Sequence, residues 1–201
     1  MSSRGEFLLR LLDELLHNNQ TFVQERKFEP YLTSKFPDKK LVIVTCMDTR
    51  LTEMLPQALN LKNGDAKIIK NAGAVISHPF GSIMRSIIVA IYALKAEEVC
   101  VIGHHGCGMA GLEANAIMDQ VEERGIDKQT VETLHFSGVD IKSWLKGFST
   151  VEESVAHSVE MVKKHPLLPK EIPVHGLVID PETGKLDLVV NGYELNEMSA
   201  Q

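Results

Sequence analysis

The feature of this chain that most narrows its fold is a recurrence of short β-branched runs separated by helical stripes. Leu41-Val42-Ile43-Val44-Thr45 is apolar without alternation, as expected of a strand buried on both faces. A short helix is expected over 52–59. Ala66-Lys67-Ile68-Ile69-Lys70 reads as a second strand, ending at Asn71-Ala72-Gly73. Residues 81–95 then place Ile83, Met84, Ile87, Ile88, Ile91 and Leu94 on one helical stripe, and Val99-Cys100-Val101-Ile102 makes a third strand closed by Gly103. Further helices are expected over 111–124 and 151–164. Val174–Ile179 and Leu186–Val190 flank Asp180-Pro181-Glu182-Thr183-Gly184-Lys185, whose turn residues predict a terminal hairpin. This alternation is the pattern of an α/β fold: a central, mainly parallel sheet flanked by helices, with an N-terminal helical arm and a C-terminal β-hairpin.

The arm is a separate matter. Leu8, Leu11, Leu12, Leu15 and Leu16 fall at helical spacing, so residues 5–17 make an amphipathic helix, and 21–40 are polar and mixed with prolines at 30 and 37. Those leucines need a surface to cover them, and a partner subunit is one option. No linker or internal repeat divides the rest, and 201 residues suffice for a single domain over 41–201 behind an arm over 1–40. The tail after Asn191 is expected to fray.

With 21 Lys and Arg against 27 Asp and Glu, the net charge is -6, the wrong balance for a chain that lives by neutralising phosphates. Nucleic acid is therefore not expected as a partner. No apolar run reaches the ~18–20 residues that span a bilayer, and charges break the N-terminal run where a secretory signal would need continuity. A membrane is not expected as a partner either, and the expected location is the cytoplasm. The three cysteines, 46, 100 and 107, argue against a disulfide framework and for metal binding or catalysis.

Two polar stretches follow strand ends: Cys46-Met47-Asp48-Thr49-Arg50 and His104-His105-Gly106-Cys107-Gly108. In open α/β sheets, ligands collect outside the carboxyl ends of strands where the strand order reverses. If the two strands are neighbours, Cys46, His104 and Cys107 converge as two thiolates and an imidazole, a good zinc set that leaves one position open. Asp48 is the nearby candidate for a fourth ligand. It can also be read as a cap for the following helix, or as a carboxylate held by Arg50 in a charge-assisted pair. Cys100, in mid-strand, reads as a small apolar residue. His105 is not expected to be a ligand, and histidines 17, 78, 135, 157, 165 and 175 show no spacing for a second metal. The glycines at 103, 106 and 108 do not match a dinucleotide fingerprint.

Cys46-x-Asp48-x-Arg50 with His104-x-x-Cys107 resembles the β-class carbonic anhydrases. Asn71-Ala72-Gly73, the Trp144-Leu145 stretch and the Gly176–Leu188 segment are similar to the compact branch of that class. The resemblance implies one Zn2+ per chain on Cys46, His104 and Cys107, with Asp48 and Arg50 as catalytic residues and Asp48 as fourth ligand in a closed state. It implies reversible hydration of carbon dioxide to bicarbonate by zinc-bound hydroxide, and a homodimer embraced by the N-terminal arms, or a dimer of dimers. Two thiolates offset the metal's charge, so activity is expected to rise with pH. Members with an inhibitory bicarbonate pocket carry Trp and Arg where this chain has Ile43 and Lys70. Lys does not reproduce an Arg fork, so that pocket is expected to be absent and the site open. Two other readings share the ligand set: a carbon disulfide or carbonyl sulfide hydrolase, and a non-catalytic zinc-binding protein closed by Asp48.

Overall fold

The computed structural model describes residues 3–194, with side chains from Arg10 onward. The expected fraying of the tail falls largely on residues 195–201, outside the described residues. The chain forms two compact units that divide between Ser34 and Lys35. In the first, helix α1 (Ser3–Gln24) runs past the 5–17 read from the leucine stripe. Asn18, Asn19 and Gln20 interrupt the stripe but not the backbone ladder, because none of them breaks a helix as Gly or Pro does. The helix stops where Arg26 takes a φ of 56° and Lys27 N–H bonds the Phe22 carbonyl at 3.0 Å. Leu11, Leu12, Leu15 and Leu16 are exposed. Among the described residues no helix is long and apolar enough to cross a membrane.

The second unit is built on a five-stranded sheet. Its strands are β1 (Leu41–Cys46), β2 (Ala66–Asn71), β3 (Glu98–His104), β4 (Val174–Ile179) and β5 (Leu186–Val190), in the order β2-β1-β3-β4-β5. All pairs are parallel except β4 with β5, so the terminal hairpin is present as read. Asp180 organises its turn: the carboxylate accepts the Glu182 N–H at 2.7 Å, and the carbonyl accepts from Gly184 at 2.8 Å.

Helices α2 (Leu51–Ala58), α3 (Ser82–Tyr92), α4 (Ala114–Glu123) and α7 (Val151–Lys163) match the expected segments within a few residues. Helices α5 (Lys128–Phe136) and α6 (Ile141–Leu145) were not foreseen. Neither has a fully buried residue, and the few apolar side chains at helical spacing, such as Val131 with Leu134 and Ile141 with Leu145, are too few to make a stripe that periodicity would detect. Their signal lies in the caps, where Asp127 accepts from Gln129 N and Asp140 from Ser143 N, each at 3.0 Å.

Successive side chains of a strand face opposite ways, so a sheet covered on both sides needs apolar residues throughout. Val42 and Val44 pack with Val99, Val101, Met84, Ile87, Val155 and Val159 on the α3/α7 face. Ile43 packs with Ile102, Ile179, Leu51 and Leu55 on the α2 face. Helix α7 comes close enough that a Cβ on Gly103 would lie 2.6 Å from Val151 Cγ2 and 2.8 Å from Val155 Cγ2. The chain leaves β1 for β2 on one side and returns across it to β3 on the other. The reversal of order therefore falls between β1 and β3, which pair from Leu41↔Glu98 to Thr45↔Ile102.

Candidate metal centre

β1 and β3 are hydrogen-bonded neighbours, so their carboxyl ends bring Cys46 beside His104. Thr45 Oγ1 ties the two strands by donating to the Ile102 carbonyl at 2.9 Å. The loop after β3 returns Cys107 to the same point. All three side chains are buried, and their ligand atoms lie within 4.8 Å of one another. The two sulfurs are 3.9 Å apart and both cysteines are free. Among the described residues this is the only such group of three or more His, Cys, Asp or Glu side chains.

The imidazole is already oriented. His104 Nδ1 sits 2.9 Å from the His105 carbonyl, which only accepts, so Nδ1 carries the hydrogen and Nε2 the lone pair. Nε2 is buried and has no hydrogen-bond partner. An unsatisfied buried polar atom costs about 1–3 kcal/mol, and such atoms call for a ligand or a functional role. Burial, with the neighbouring Cys46 sulfur and Asp48 carboxylate, pushes the Cys107 thiol up, against a lowering main-chain hydrogen bond from Met109. Two thiols that repel as thiolates, and one unpartnered imidazole lone pair, form a donor set that a soft dication would satisfy.

Asp48 lies at the edge of this cluster. Arg50 grips it in a fork, Nε to Oδ1 at 2.9 Å and Nη2 to Oδ2 at 2.8 Å, while the Arg50 main-chain N–H adds a bond to Oδ1 at 2.9 Å. The side-chain bond from Arg50 dominates, and against the opposing effect of burial it holds the carboxyl well below the usual carboxylate range. Arg50 Nη2 also donates to the Gly106 carbonyl at 3.2 Å, linking the two motif loops. Asp48 Oδ2 stands 3.7 Å from His104 Nε2, near the cluster but beyond hydrogen-bonding range. The helix-cap reading is compatible with this: Arg50 already has helical dihedrals ahead of α2, and Asp48 Oδ1 accepts its main-chain N–H at 2.9 Å as a cap would.

The other candidates stand apart. His105 is exposed, its ring 4.0 Å from Glu152, and only its carbonyl serves the cluster. His165 and His175 are buried and accept main-chain N–H bonds from Leu167 and Gly192. Histidines 17, 78, 135 and 157 are exposed. Cys100 is half-buried and its thiol is pushed up to about 12, chiefly by burial. Ile43 is fully buried in the core, and Lys70 Nζ donates to Thr52 Oγ1 at 3.3 Å.

Sequence reasoning missed the main-chain groups: the His105 carbonyl, and the Gly73 N–H that lies 3.4 Å from Cys46 Sγ. Every residue carries the carbonyl and every residue but proline the N–H, so composition holds no trace of them; the only pointer was the Asn71-Ala72-Gly73 string. Met109 and Phe148 pack against the apolar cluster that contains both cysteines, giving the centre an apolar flank.

Comparison with known proteins bears on the family and the fold. A family model described as carbonic anhydrase matches residues 41–186. The Bacillus subtilis (strain 168) protein YvdA, provisionally named a carbonic anhydrase, is 67% identical over 183 residues, covering 91% of this chain and 93% of its own. A carbon disulfide hydrolase of Acidithiobacillus thiooxidans is 29% identical over 157 residues, covering 74% of this chain and 76% of its own. Among solved structures, β-carbonic anhydrase isoform I of Trichomonas vaginalis superposes with a TM-score of 0.79 at 34% identity, covering 96% of this chain and all of that one.

Proposed function

Since this chain belongs to the β-carbonic anhydrase family, we propose that it hydrates carbon dioxide reversibly to bicarbonate, with one zinc ion held by Cys46, His104 and Cys107. The observation that carries the reading is the unpartnered, pre-oriented Nε2 of His104 between two free cysteines, with an Arg50-locked carboxylate beside it. Bound there, zinc supplies a Lewis acid that makes hydroxide available from water near neutral pH.

The chain's own residues do the rest. Asp48, kept ionised by the Arg50 fork, can only accept hydrogen bonds, so it orients the O–H of the attacking nucleophile and turns its lone pair towards carbon. Arg50 fixes that carboxylate against rotation and ties its loop to Gly106. Met109 and Phe148 flank the centre with apolar surface, where carbon dioxide, which has no net dipole, rests without losing strong hydrogen bonds to water. We read the arm over 1–40 as the dimerisation element, on the strength of its exposed leucines, and the protein as a cytoplasmic homodimer. Sedimentation equilibrium tests the assembly.

The decisive experiment is stopped-flow carbon dioxide hydration from about pH 6.5 to about 9, with zinc per chain measured on the same sample and carbon disulfide hydrolysis assayed in parallel. A rate that climbs with pH at one zinc per chain is expected. Zinc without hydration at any pH overturns the proposal, and carbon disulfide turnover in its place reassigns the substrate.

A further inference from the structure

We infer that Asn71 is a positioning residue of the metal centre: its carboxamide holds the turn that presents the Gly73 N–H to the sulfur of Cys46. Asn71 is the last residue of β2 and the register partner of Cys46, and its carbonyl accepts the Met47 N–H at 2.8 Å. Beyond it the chain makes a tight turn over Ala72–Ala74 in which Gly73 has a φ of 75° and Ala74 a φ of 57°. Two successive residues in the left-handed region, the second with a side chain, need an external tie. Asn71 supplies it, with Nδ2 donating to the Val75 carbonyl at 2.7 Å and closing the mouth of the turn.

The turn has a specific product. Gly73 is buried, and a Cβ there would meet Phe148 Cε1 at 2.9 Å and Met109 Cγ at 3.1 Å, so no side chain fits. Its N–H, in contrast, lies 3.4 Å from Cys46 Sγ. The orientation of Asn71 follows from its partner: a carbonyl accepts only, so Nδ2 faces Val75 and Oδ1 faces the other way, buried and with no hydrogen bond. A position that needed only to be filled would suit an apolar side chain better. The carboxamide is there for its donor.

An N–H bonded to the Cys46 sulfur holds that sulfur where the other two donors meet, so less ordering is left for metal binding to impose. The same bond draws electron density from the sulfur, so its loss both frees the sulfur to turn away from the centre and shifts the sulfur-to-metal charge-transfer band. Groups in this outer layer typically alter metal affinity or activity by about 10–100-fold. The inference rests on the zinc reading of Cys46, His104 and Cys107.

The test uses the full chain. Zinc affinity is measured by chelator competition for the wild type and Asn71→Ala, and the cysteine-to-metal charge-transfer band is recorded on the cobalt-substituted proteins. We expect about a 10–100-fold loss of affinity and a shifted band. In the wild type loaded with cadmium-113, a scalar coupling between the metal and the Gly73 amide proton is expected, weakened in the milder Asn71→Ser. Equal affinity with an unmoved band overturns the inference, as does a missing coupling, or one that Asn71→Ser leaves unchanged. If Asn71→Ala does not fold, the coupling measurements decide. A wild type that binds no metal overturns the zinc reading and this inference together, whereas metal held equally well by wild type and variants, with the band unmoved, overturns this inference alone.

Discussion

Replacing Gly103 by Ala tests the packing that seats the His104 end of β3 under α7. The new Cβ would lie 2.6 Å from Val151 Cγ2 and 2.8 Å from Val155 Cγ2. Carbon atoms in contact prefer about 3.5–4.0 Å, so each approach is short by about 1 Å. Both obstructing atoms are methyls of β-branched residues on a helix, where χ1 has one strongly preferred rotamer, and neither can swing aside cheaply. The helix or the strand end must move instead. Overpacking of this kind costs about 1–3 kcal/mol, which for a chain of this size lowers the melting temperature by roughly 2–12 °C. Thermal and urea unfolding of zinc-saturated protein reads the effect. Val151→Ala alone also destabilises by leaving a cavity, yet in the Gly103→Ala background it removes the shorter of the two clashes, so the pair should couple favourably by about 0.5–3 kcal/mol. A Gly103→Ala protein as stable as the wild type, or a double mutant whose losses simply add, would refute the argument that close helix approach demands glycine here.

Further outcomes follow from the centre itself. Cys107→Ser removes one of the three proposed donors, so protein purified in zinc should carry a small fraction of the wild-type metal by elemental analysis; full loading would remove Cys107 from the proposed ligand set. Asp48→Asn preserves shape but changes an obligate acceptor into a mixed donor and acceptor, so zinc should stay bound while hydration slows by about 10²–10⁴-fold; an undiminished rate would sink the orienting role of Asp48. The Asp48 carboxyl is depressed below its ordinary 3.8, so the folded chain binds fewer protons than the unfolded one. Its stabilisation is complete above the ordinary carboxylate range and fades as pH falls through the depressed value. The stability gap between wild type and Asp48→Asn should therefore be level from about pH 5 to 8 and narrow below about 4, and a gap that widened on acidification would contradict the assigned direction. Cys100, with its thiol near 12, should resist alkylation at about pH 8 in the native chain, as mass mapping of modified peptides would reveal.

The strands of this protein were legible because burial on both faces leaves a local mark: an apolar run such as Leu41–Thr45 needs no knowledge of its neighbours. Helices with a buried stripe, α3 and α7 among them, were legible for the same reason. Helices α5 and α6 were not, since no residue in them is fully buried and their clearest mark is the pair of caps, Asp127 and Asp140. Helix α1 outran its leucine stripe because a backbone ladder continues through polar residues that packing does not require.

The candidate donors, Cys46, His104 and Cys107, could be picked from the sequence because reactive side chains at strand ends are rare and carry their chemistry with them. What brings them to one point is tertiary. The adjacency of β1 and β3 depends on the chain crossing back over β1 after β2, a choice made by the packing of α2 and α3 on opposite faces. The lone pair of His104 is aimed by a carbonyl, the sulfur of Cys46 is approached by an amide, and the Arg50 fork anchors to Gly106 through another carbonyl. These groups are the same in every residue, so only their placement in space distinguishes them, and no string of letters records it.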